Sequence, residues 1–165
     1  MKQFMLAVLA LSLASCAMHA IPTFQEPDKR LVNLQKEKDR LTRATDPVQR
    51  TKTQIKISEI LLVLTGDAVR TGDLDGMQQR LDDYVAAIQD AHQTMTKTGR
   101  DAHKKPGGFR DLEIVLRRHV NRLKDIGDAL TFEERDPVQK ARDEAARIRE
   151  ELLKALFGGP NVTPI

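Results

Sequence analysis

Apolar residues recur along this chain at the three- and four-residue spacing of amphipathic helices, and proline and glycine cut the pattern into five segments. The first, about 28–44, opens at Asp28 as a helix cap and sets Leu31, Leu34 and Leu41 at heptad-like spacing among lysines and arginines. That stripe is narrow, so the helix is expected at an edge. The second, about 47–70, starts at Asp46-Pro47, where the aspartate caps free amides and proline gives up an N–H that has no partner at the first helical position. It carries Val48, Ile55, Leu62 and Val69 on one line and Ile57, Leu61, Leu64 and Ala68 on another, which predicts a central helix. Gly66 costs about 1 kcal/mol there unless it admits a close neighbour or ends the helix.

The third segment, about 73–98, shows Met77, Leu81, Tyr84, Val85, Ile88 and Met95 on its apolar side and has Gly99 to stop it. The fourth, about 109–130, has the cleanest stripe: Leu112, Leu116, His119, Leu123, Ile126 and Leu130, four and three apart in alternation. The fifth, about 136–157, opens on a second Asp-Pro start, presents Val138, Ala141, Ala145, Ile148, Leu152 and Leu156, and stops at Gly158-Gly159-Pro160. Most connections are brief, so an all-α antiparallel bundle of about four to five helices is expected over 28–157, with 158–165 a flexible tail. Asp-Pro-Val-Gln occurs at both 46–49 and 136–139. Shifting the first helix by the same 90 residues sets Leu31 on Asn121 and Leu34 on Lys124, which favours two uses of one capping sequence over a duplication.

Composition supports this picture. The 165 residues are 40% hydrophobic, too apolar for a disordered chain, and the 4% aromatic content argues against a sandwich or barrel. The single cysteine excludes an internal disulfide. Lys2 and the apolar run Phe4 to Leu13 have the form of a secretory signal, and a run of ten residues falls short of the roughly 20 that span a bilayer. Counting through to Ile21 leaves a marginal, serine-interrupted span as the alternative.

At the end of that run, Leu13-Ala14-Ser15-Cys16 resembles the lipobox of bacterial lipoproteins. The resemblance implies removal of residues 1–15 and acylation of Cys16, with 16–27 as a tether. Two or more acyl chains anchor a protein where one binds only marginally. Ala17 stands where many such proteins carry a retention aspartate for the inner membrane, so the resemblance implies a periplasm-facing outer-membrane location. The other reading is ordinary cleavage at Ser15-Cys16-Ala17, which leaves a free thiol.

Without residues 1–15 the chain has 26 basic and 24 acidic side chains, a balance that does not indicate a nucleic-acid binder. The charge is nonetheless uneven: 71–99 hold two basic and five acidic groups, and 100–110 hold four basic and one acidic. The segment Lys97, Arg100, His103, Lys104, Lys105, Arg110, with Gly107 and Gly108, is longer than a bundle turn requires. It reads as a contact for an anion such as phosphate, a lipid head group or a cell-wall carboxylate, or as a solvated linker.

Other chemistry has thinner support. Asp90-Ala91-His92 and Asp101-Ala102-His103 recur eleven residues apart, but Gly99 breaks the helix that would align them on a metal. Thr71 to Asp82 partly matches a calcium loop, with threonine at its first position and aspartate at its last, and Asp73 as a helix cap explains the same residues. His119 reads as a partly buried boundary residue, and its use with Met77 or Met95 on a haem has no signal beyond residue type. Gln89, Arg100 and Leu116 stand where a di-iron bundle needs glutamate three residues before histidine. No catalytic motif, cofactor or metal set is expected. The sequence therefore points to a membrane-tethered envelope protein that binds an envelope protein, a lipid or an anionic polymer. The competing readings are a histidine-based ligand bundle, an enzyme whose site assembles across helices without a local motif, and a structural spacer or oligomerising bundle.

Overall fold

Three aspartates begin the first three helices in the same way, each turning its carboxylate back onto a free amide of the first turn. In the computed structural model, which describes residues 28–158, Asp28 accepts from Arg30 N (2.9 Å) to start α1, Lys29–Arg43. Asp46 accepts from Gln49 N (2.8 Å) to start α2, Pro47–Thr71, and Asp73 from Gly76 N (2.9 Å) to start α3, Leu74–Thr96. Between α2 and α3 the chain turns at Gly72, whose φ of 73° suits a residue without a Cβ. Helix α4 is Phe109–Asp128 and α5 is Asp136–Phe157. The signal, Cys16 and its lipobox, the tether and all but the first residue of the tail lie outside the described residues.

One helix start differs from expectation. The second Asp-Pro does not cap: α5 begins one residue earlier relative to the motif, with Arg135 at the N-cap position and Gln139 N bonded to Arg135 O (2.9 Å). Asp136 thus lies inside the first turn and pairs with Lys140 (2.7 Å). Gly66 does not end α2; a Cβ there would stand 3.4 Å from the Arg122 guanidinium, so the glycine makes room for α4.

The fold is an all-α bundle. The apolar stripes expected for α4 and α5 are buried along their whole length, and Leu61, Tyr84, Leu116 and Ile148, from four different helices, all have almost no exposure. Burying each such side chain contributes roughly 1.5–3 kcal/mol. α1 lies at the edge as its narrow stripe requires, with Leu34 buried and Leu31 half in water.

Ion pairs between helices give the register. Lys52 meets Asp111 (3.9 Å) and Glu59 meets Arg118 (3.0 Å), so α2 and α4 run parallel with an offset of 59 residues. His92 meets Glu151 (3.5 Å) with the same offset, so α3 and α5 also run parallel. The antiparallel relation holds between sequence neighbours: hairpin α2–α3 stands beside hairpin α4–α5, and α3 and α4 sit on a diagonal with few contacts. The connection 97–108 is long because it crosses that diagonal. It is pinned on the way. Ala102 is buried, and Gly108 (φ 84°) lies so close to Met95 that a Cβ would stand 2.5 Å from Sδ.

Candidate functional site

The topology gathers at one pole the ends of α1, α3 and α5, the starts of α2 and α4, and the crossing loop. Asp28, where the described chain begins, is at the other pole, since Arg30 in the first turn of α1 pairs with Asp67 near the end of α2. Lys97, Arg100, Lys104, Lys105 and Arg110 are all exposed at the loop pole. Lys154, in the last turn of α5, and Arg43, in the last turn of α1, join them there. Sequence reading missed these two because only the fold shows which helix ends share a pole.

Asp46, Asp101 and Asp111 stand among these cations, and Asp111, beside Arg110 in the first turn of α4, faces Lys52 at 3.9 Å. Asp46 is occupied as the cap of α2. The Asp101 carboxylate accepts from the backbone amides of His103 (2.9 Å) and Lys104 (3.3 Å), and these bonds hold its pKa below the usual carboxylate value. Its ion pair with Lys104 is long, 3.7 Å, and exposed. Among the described residues no carboxylate lies within ion-pair distance of Lys97, Arg100, Lys105, Arg110 or Lys154. Three helix C-termini also face this pole, and their partial negative charge favours cations nearby by a few tenths of a kcal/mol each.

His103 is used differently from its neighbours. Its Nδ1 lies 3.1 Å from Leu156 O; the carbonyl can only accept, so the proton is on Nδ1, and the ring ties the loop to the last turn of α5. It therefore anchors the loop. The exposed Phe157 stands next to it at the end of α5, one residue off the buried stripe. That off-stripe position was its only signal in the sequence.

The other histidines lie elsewhere in the bundle. His119 is buried, with Nδ1 3.4 Å from the Tyr84 hydroxyl, and burial followed by the charge of Arg118 lowers its pKa to about 4. The neutral ring shares a hydrogen bond between Nδ1 and the Tyr84 hydroxyl. Burial also lowers the pKa of His92, against the pull of Glu151. Met77 and Met95 are both in the core. The calcium-like segment is helical from Leu74 onward, so it cannot wrap an ion as a loop. Among the described residues, no group of three or more histidine, cysteine, aspartate or glutamate side chains is placed to hold a metal, and no helix is long and apolar enough to cross a membrane. Compared with protein-family models, curated proteins and solved structures, the chain matches none.

Proposed function

We propose that this is a lipid-anchored envelope protein whose basic pole binds an anionic partner. The observation that carries the reading is the separation of the two ends: the described chain begins at one pole, and the exposed cations of the crossing loop stand at the other. At 1.5 Å per residue, the 25 residues of α2 alone separate the poles by roughly 37 Å. With acyl chains on Cys16, the tether joins the bundle at the pole farther from the cations. The basic pole then projects away from the anchoring membrane. Its cations lie on a loop held by His103, Ala102 and Gly108, so little ordering is needed when a partner docks.

Two measurements test this reading. The mature protein from its host is expected in the membrane fraction with the mass of an acylated chain starting at Cys16; an unacylated soluble chain removes the anchor. The mature protein is also expected to bind polyglutamate with an affinity that falls as salt rises. Lys104→Glu with Lys105→Glu is expected to weaken that binding at least tenfold while helicity stays unchanged. Equal binding by the double variant removes the basic pole as the contact.

A further inference from the structure

We propose that a notch at the basic pole receives one apolar side chain of an acidic peptide segment, so that the partner is a protein or peptide in which carboxylates flank a hydrophobic residue. This rests on the reading of the basic pole as a contact surface. The notch has a volume of about 390 Å³ and is lined by Ala102, His103, Pro106, Arg110, Leu156 and Phe157. Three parts of the fold build it: the crossing loop, the first turn of α4 and the last turn of α5. The bond from His103 Nδ1 to Leu156 O closes the join between loop and helix, so the walls are held before any partner arrives.

The lining sets the chemistry. Phe157 is 70% exposed, a large aromatic face left in water beside a concavity, and a partner that covers it gains the burial that the fold does not supply. Arg110 presents a planar, two-pronged donor in the same wall, and no carboxylate of the described residues pairs with it. Lys104 and Lys105, between the lining residues His103 and Pro106 in sequence, are exposed, as are Arg100 and Lys154 on the same loop and helix end; Asp46 and Asp101 are engaged by backbone amides, and Asp111 faces Lys52 at 3.9 Å. Charge complementarity therefore asks for acids on the partner, and the concave apolar centre asks for one side chain among them. A bilayer surface would meet the cations equally well but has no single group to fill a recess.

The test uses the full-length mature protein and two fluorescent peptides, each with six glutamates, one around a central phenylalanine and one around a central alanine. Anisotropy titration is expected to show the phenylalanine peptide at least tenfold tighter. Phe157→Ala is expected to bring the two peptides within threefold of each other, with helicity unchanged, whereas Arg110→Gln is expected to weaken both and keep their ratio. Lys104→Glu with Lys105→Glu weakens both peptides together. Equal affinities for the two peptides, lost together in the double charge reversal, overturn the notch and leave the basic pole standing. Absence of binding by either peptide overturns both. Tighter binding to anionic phospholipid vesicles than to the phenylalanine peptide overturns the proposal in favour of a membrane surface. Self-association that Phe157→Ala abolishes overturns it in favour of a second copy of the chain.

Discussion

The two parallel seams of the bundle, α2 against α4 and α3 against α5, share a register and differ in how they handle polar groups. Across α3 and α5 the polar side chains are linked to one another. Gln89 donates to Glu144 (2.8 Å), Arg147 bridges Glu144 and Glu151, and Glu151 faces His92. The hydrogen bonds from Arg147 and then Gln89 hold Glu144 down at about 2. Across α2 and α4 the ion pairs are isolated and wet, with Arg118 64% and Glu59 43% exposed, and the exposed Val63 and Ile114 lie along the same seam. His119 of α4 is beneath the surface against Tyr84 of α3, and α2 buries the polar Thr51, Gln54, Ser58 and Thr65. Equivalent helix pairs can thus carry a connected polar network or isolated, exposed ion pairs, and the two arrangements respond to different perturbations.

Acidification separates them most strongly. The folded protein holds His119 neutral, so its contribution is complete above pH 6.5 and is lost as pH falls through about 4. Lowering from 6.5 to about 4 corresponds to on the order of 3 kcal/mol. Denaturant titrations at a series of pH values are expected to show this loss, and His119→Gln is expected to flatten it; a wild-type slope in the variant would move the effect to other groups. Glu144 acts in a lower window, contributing above pH 4.5 and losing its contribution as pH falls through about 2. Discounted for solvent screening, Glu144→Ala is expected to cost about 1 kcal/mol near neutral pH, and less in high salt. The smallest change is expected from Arg118→Ala, under about 0.5 kcal/mol because the pair is exposed. Equal melting shifts for the last two variants would erase the distinction between the seams.

Where the stripe in the sequence was unbroken, as from Leu112 to Leu130 and from Val138 to Leu156, helix and core were both legible, because periodicity alone decides which side is buried. The repeated Asp-Pro-Val-Gln shows where local reading stops. Asp46 follows a residue outside the helix and accepts from the amide three residues on, whereas Arg135 is already helical (φ −75°, ψ −24°) and its carbonyl takes the corresponding amide of Gln139. The 90-residue offset of that motif differs from the 59-residue offset at which the hairpins stack. The cations of the loop were legible because they are adjacent in sequence. Lys154, Arg43, Phe157 and the notch were not, since they depend on which helix ends meet. The different role of His103 depended on a carbonyl 53 residues away.

The diagonal placement of α3 and α4 has a kinetic consequence. Each hairpin closes through neighbours in sequence, so its helices can find each other on the microsecond scale of local chain closure. The long-range step is a single docking of two preformed units, and the loop that links them forms few contacts until that docking is done. Most native contacts are therefore gained at short sequence separation, which places this chain among fast folders, with the meeting of the hairpins as the expected rate-limiting event.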